Sequence, residues 1–139
     1  MGSEFTLREV KQIWAEAQQR CPPQVSGDRL ETIYTEPSIL GSGQKKDVQL
    51  CPEMELCVID VLSNEWTERV PEDRHLVQFS AYLSGHIDSH GYLAGEHLII
   101  ASQQGYVGGS GIQPFHRVEG DNSCRRIGVD IHIEPVLFR

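Results

Sequence analysis

Long apolar runs are missing from this chain. None approaches the roughly 20 residues a helix needs to cross a bilayer, and the first residues hold neither a basic stretch nor an apolar core of the secretory kind. No membrane partner is expected, and the cytoplasm is the default location. Cysteine is sparse: Cys21, Cys51, Cys57 and Cys124 are scattered, without a C-x-x-C pair or the regular framework that staples small secreted domains. Reduced, buried and inert thiols are therefore favoured over reactive ones. Positive charge is also short, since 12 Lys and Arg stand against 20 Asp and Glu, a formal net charge of −8. Such a domain repels a phosphate backbone, so no direct nucleic-acid binding is expected of it.

Catalytic signatures are thin in the same way. There is no G-x-S-x-G elbow, and no H-x-H pair of the sort that sets metal ligands on one face of a strand. Gly105 to Gly111 holds four glycines in seven positions, but no helix pattern follows it, which excludes a dinucleotide-binding loop and leaves a flexible loop, a sharp corner or a gate over a pocket. Asp60, Asp130 and Glu134 stand in or beside strand patterns, with nothing to pair them with one another or with a nucleophile. Binding without catalysis, and without a cofactor, is the expectation.

What is present fits one soluble domain. The chain has 139 residues, 39% hydrophobic and 23% charged, an ordinary globular composition. Met1 to Phe5 reads as a cloning scar and is set outside the fold. From Thr6 to Arg20, Leu7, Val10, Ile13, Trp14 and Ala17 recur at helical spacing; Thr6 and Glu9 form a capping box, and Pro22-Pro23 end the helix. Its stripe could pack on the chain's own sheet, the favoured reading, or on a partner subunit. Residues 21–46, with Pro22, Pro23, Pro37 and a Gly41-Ser42-Gly43 turn, predict an irregular lead-in carrying at most one strand. Residues 47–134 then run as short β-type segments between turn residues, which predicts a mainly β fold, a cupin-like barrel behind an N-terminal helix. Residues 135–139 read as the start of a linker.

Two strands set the expected core. Val77, Phe79, Ala81 and Leu83 alternate with Gln78, Ser80 and Tyr82; Ile127, Val129, Ile131 and Ile133 alternate with Arg126, Gly128, Asp130 and His132. The apolar set of each should face inward. The opposite face, with Arg126, Asp130 and His132, should form a satisfied polar network or line a ligand cavity.

Six histidines raise a metal site as an alternative, through His86, His90, His97 or His132, with His75 and His116 on other segments. Surface histidines are the plainer reading, because Asp88, Ser89 and Gly91 around His90 read as a hairpin turn. Aromatics with hydrogen-bonding tips, Trp66, Tyr82, Tyr92 and Tyr106, with Phe79, Phe115 and the cations Arg117, Arg125 and Arg126, could supply the walls and anchors of a small-molecule pocket.

The stretches His75–Gly85, Gly95–Ile100 and Arg126–Phe138 resemble the N-terminal regulatory domain of AraC-family transcription regulators, in the branch of the pyochelin-type siderophore regulator and its cyanobacterial relatives. Leu40–Gln44 and Val48–Leu56 are similar to the same branch. The resemblance implies a cupin-like barrel that senses a small-molecule effector, such as a ferric siderophore or another iron-linked signal. It also implies a homodimer or a relay to a C-terminal helix-turn-helix part, outside this chain, that grips DNA. The missing H-x-H departs from the wider cupin pattern. Trp66, Phe79, Tyr82, Tyr106, Phe115, His116 and Arg126 are the expected ligand-binding residues. Two rival readings are a small metal-dependent cupin enzyme and a dimerisation module that uses the Leu7, Val10, Ile13 and Trp14 stripe.

Overall fold

The computed structural model describes residues 2–90, 97–109 and 111–138; Tyr92 and the side chain of His97 lie outside the described residues. Strand β1 (Ser3–Thr6) leads into helix α1 (Leu7–Arg20), followed by β2 (Gln24–Val25), β3 (Glu31–Thr35), β4 (Gly41–Cys51) and β5 (Met54–Ser63). Next come β6 (Trp66–Val70), β7 (Asp73–His75), β8 (Val77–Ser84), β9 (Ile87–His90) and β10 (His97–Ile100). The chain closes with β11 (Gly105–Gly108), β12 (Gly111–Gln113), β13 (His116–Gly120), β14 (Arg126–Ile133) and a 3-10 turn at Pro135–Phe138.

The fold is mainly β with one helix, as expected. A five-stranded sheet in the order β1-β6-β13-β9-β10 and a seven-stranded sheet in the order β11-β8-β14-β5-β4-β3-β2 account for all strands but the β7-β12 pair. Their inner faces meet in a small core, where Ile100 and Ile87 of the first pack with Ile59, Val61 and Tyr82 of the second. Two facing sheets suit a cupin-like arrangement, although among the described residues they do not join into a closed barrel.

The helix forms where local chemistry demands it. The Glu9 amide donates to Thr6 Oγ1 at 3.2 Å and the Thr6 amide to Glu9 Oε2 at 2.7 Å, so the capping box satisfies two otherwise orphaned donors. The helix stops at Arg20, one residue short of Cys21 and the two prolines that cannot continue it. Its stripe turns toward its own chain, as Trp14 meets Tyr34 edge-on at 6.2 Å, yet none of its residues is fully buried.

Several expectations are corrected. Residues Ser3 to Phe5, set outside the fold, pair in parallel with β6 from Trp66 to Glu68. The irregular lead-in is β2, β3 and the start of β4, and Gly41-Ser42-Gly43 opens that eleven-residue strand. Gly43 holds φ +110, and a side chain there would run into the Asp60 carbonyl of β5. Its glycine is needed for close strand approach, not for a turn. The glycine-rich segment is likewise ladder, split between β11 and β12. Asp88 and Ser89 lie in β9, which pairs with β10 from His90 opposite His97, so they are ladder and not turn; Gly91 lies outside the described residues. Cys21 and Cys124 are exposed, and Cys51 and Cys57 half-buried, so the reading of four buried thiols fails.

The largest correction concerns which way the sheet faces. Along β8 it is Ser80 and Tyr82 that are buried, while Phe79, Ala81 and Leu83 are exposed, Leu83 by 75%. On β14 Gly128 and Asp130 are buried and Ile127 is exposed; Ile133, beside the 3-10 turn, is the buried member of its set. Period-two alternation defines two faces but not which of them is covered. Here the decision falls to Tyr82, 1% exposed, whose ring fits against Gly128 where any side chain would collide with it.

Candidate ligand pocket

The register of the seven-stranded sheet lines up polar residues from distant parts of the chain. Asp47 on β4 sits opposite Cys57 on β5, Cys57 opposite Asp130 on β14, Asp130 opposite Ser80 on β8, and Ser80 opposite Tyr106 on β11. Since neighbouring strands lie about 4.8 Å apart, these five side chains form one row across the inner face. Flanking rows contribute Tyr34, Lys45 and Tyr82 on one side and Glu55, His132 and Gln78 on the other.

Asp130 is the hub of the row. Its Oδ1 accepts from Ser80 Oγ at 2.6 Å and from Tyr82 Oη at 3.1 Å, and Gln78 Nε2 donates to Ser80 Oγ at 2.8 Å. A buried carboxylate with two hydroxyl donors is satisfied and fixed in orientation. Burial and the Asp130 charge both push the Tyr82 hydroxyl pKa up, so it stays a hydrogen-bond donor at physiological pH. The Arg126 guanidinium lies 5.9 Å from the Tyr82 ring centroid, a cation–π contact, while its buried Nε finds no hydrogen-bond partner.

Toward α1 the row opens into a cleft of about 320 Å³ lined by Trp14, Gln18, Tyr34, Lys45 and Asp47. The Lys45 ammonium stands 5.1 Å over the Trp14 ring and 3.7 Å from Glu36 Oε2. Burial, with the charge of Asp47 and a hydrogen bond to it, pushes the Cys57 thiol up to about 12, which makes this thiol a poor nucleophile. Burial and the nearby Asp47 also raise Glu55. Burial lowers His132 and outweighs the opposing charge of Asp130; His75, its ring 5.9 Å away, adds to the lowering, so the neutral imidazole is favoured. The cleft can hold a polar guest: the Asp47 carboxylate to accept hydrogen bonds, the Lys45 ammonium and the Gln18 amide to give them, and Trp14 and Tyr34 as aromatic walls, with the Asp130 network behind it on the same face.

Of the seven expected ligand-binding residues, Tyr82, Tyr106 and Arg126 come together on this inner face. The other four are elsewhere. Phe79 points outward, and Phe115 is exposed ahead of β13. Trp66 donates its indole N–H to the Leu40 carbonyl at 2.9 Å and packs against Gly120. His116 is buried with Nδ1 3.0 Å from the Pro114 carbonyl. Arg125, another candidate cation, is bound to Asp60 on the outer side.

The histidines considered for metal are dispersed. His86 Nε2 lies 3.2 Å from Asp121 and 3.5 Å from Asp88, His90 Nε2 lies 3.3 Å from Glu119, and His132 belongs to the other sheet. Among the described residues no group of three His, Cys, Asp or Glu side chains is placed to hold a metal ion.

Sequence reasoning missed Trp14, Tyr34, Lys45, Asp47, Glu55, Cys57 and Ser80 as pocket residues. The signal was there in part, since Gly43, Lys45 and Asp47 alternate as a strand face requires, but charged residues on an inward face do not look like a strand.

No protein-family model matches the chain, and no curated protein matches it significantly. Among solved structures, the EutQ protein of Clostridium difficile is similar over 83% of this chain and 78% of that one, with a TM-score of 0.44 and 9% identity. A protein of unknown function (DUF1255) from Acinetobacter sp. ADP1 is similar over 81% of this chain and 89% of that one, with a TM-score of 0.39 and 13% identity. Nothing about the function of this chain follows from likenesses so distant.

Proposed function

We propose that this chain is the effector-binding half of an AraC-type transcription regulator, a sensor that binds a small polar molecule and does no chemistry on it. The observation that carries the reading is the polar row on the inner face of the seven-stranded sheet, with Asp130 holding two hydroxyls. Beside it, the Arg126 Nε is buried without a hydrogen-bond partner. A fold stabilised only by its core has little reason to line that face with Asp47, Glu55, Asp130 and Lys45, because each charged group costs desolvation that an apolar side chain would not. The sequence resemblance supports an iron-linked effector, a ferric siderophore first among them. Regulation then requires the effector to bind one arrangement of the domain more tightly than another, and an attached helix-turn-helix part to read the difference.

Calorimetric titration with a panel of ferric siderophores and simple ferric complexes tests the proposal. One-site binding is expected for at least one of them, weakened about tenfold by Asp47→Asn, the loss of one charge-assisted hydrogen bond. Silence across the panel would remove the siderophore version, and binding indifferent to both Asp47→Asn and Lys45→Gln would place the effector outside this pocket.

A further inference from the structure

The outward face of the seven-stranded sheet takes no part in the pocket. Register sets Val107, Phe79, Ile131 and Leu56 in one row across β11, β8, β14 and β5, and the row beside it is apolar as well. Val107 is 67% exposed, and Leu83, next along β8, is more so. Monomeric soluble proteins seldom leave contiguous apolar patches larger than a few hundred Å² open to water. Four strands about 4.8 Å apart and roughly seven residues long at about 3.3 Å each give a flat footprint of about 440 Å². The side chains standing on it raise the accessible area toward the ~800 Å² per partner of a stable interface.

The charges at the borders of this face say what kind of partner it fits. Asp60, the charged outward residue of β5, is bonded to Arg125, and on the far border Lys46 pairs with Glu31 at 3.4 Å. A chain of net charge −8 thus carries, on its most apolar face, border charges that cancel locally. A twofold contact matches a surface with itself, so any uncompensated charge would meet its own copy; local cancellation is what such a contact requires. A partner recognised by opposite charge would find nothing there to recognise. The α1 stripe is not the alternative, because Trp14 is already packed on Tyr34.

We propose that this outer face of β11, β8, β14 and β5 is where two copies of the chain pack, sheet on sheet, about a twofold axis. The contact is apolar between two strongly acidic bodies, so salt should strengthen it by screening their mutual repulsion.

Sedimentation velocity on the whole chain, over micromolar concentrations and at low and high salt, is the test. The expected result is a dimer whose dissociation constant tightens several-fold as salt rises. Leu83→Glu and Val107→Glu should each weaken it about a hundredfold or more, because the axis brings two new carboxylates into one contact. Their circular dichroism and their melting temperature at high dilution should match the wild type. Ile112→Glu, on a residue 69% exposed but on the separate β7-β12 pair, should leave the dimer intact. A wild-type chain that stays monomeric, or a dimer unaffected by both Leu83→Glu and Val107→Glu, would overturn the proposal. So would a dimer broken by Ile112→Glu alone, or one weakened by salt.

Discussion

The two faces of the seven-stranded sheet differ more than its strands do. On β8 alone, Ser80 and Tyr82 are buried while Phe79 and Leu83 stand in solvent. On the inner face the groups that dislike burial are matched to one another, with hydroxyls of Ser80 and Tyr82 on the Asp130 carboxylate and the Arg126 guanidinium over an aromatic ring. On the outer face the groups that dislike water are left in it. Burial therefore follows satisfaction of partners here and not hydropathy alone, and the two proposals assign each face a different guest: a polar molecule on one, a second copy of the chain on the other.

The contrast can be broken most severely at its hub. Asp130→Ala leaves two buried hydroxyls without their acceptor and should cost about 2–4 kcal/mol in urea denaturation, the largest effect expected of any single change discussed; a cost near zero would mean that the network does not hold the inner face together. Gly128→Val should follow at about 1–3 kcal/mol, since the new side chain must displace the Tyr82 ring it would strike.

A smaller effect sharpens the comparison through pH. His132 has its pKa lowered, mainly by burial, so the unfolded chain takes up the proton before the folded one as pH falls. Stability should thus decline below about pH 6.5 and stop declining once the folded-state imidazole also titrates. Glu55, raised by burial and by Asp47, works the other way, because its folded form protonates first and acid relieves its penalty. Both chains retain Glu55, so the melting temperature of His132→Gln should fall less than that of the wild type between about pH 7 and about pH 5.5. Parallel curves would sink this assignment. Least of all should Leu83→Ser matter: diluted to the monomer, it should melt within about 0.5 kcal/mol of the wild type, as an exposed position does.

Part of this was legible in the sequence because its causes are local. The Thr6 and Glu9 capping box and the Pro22-Pro23 stop depend only on neighbours, and α1 follows them to within a residue. The alternation in β8 and β14 was equally plain, but which face is covered depends on strands far away in sequence, and the apolar set was assigned inward when it faces out. β4 was lost for a related reason. Its inward Lys45 and Asp47 are held by β3 and β5, tertiary partners that no local pattern announces. Of the expected ligand-binding residues that reach the inner face, Tyr82 and Arg126 come from the strands whose alternation is visible, whereas Tyr106 comes from β11, where the glycines point to a loop. Phe79, chosen for its ring, failed because its position in the alternation outranks its chemistry.

The fit of Tyr82 against Gly128 has one more effect, on how the chain is threaded. Sliding β14 by a single residue along its neighbours would turn Ile127, Val129 and Ile131 inward and carry Asp130 out of the polar row to the outer face. That misthreaded form buries more hydrocarbon, so greasiness alone would favour it. The notch beside Tyr82, and the register irregularity between Ile127 and Gly128, act as an index mark that only one alignment can satisfy.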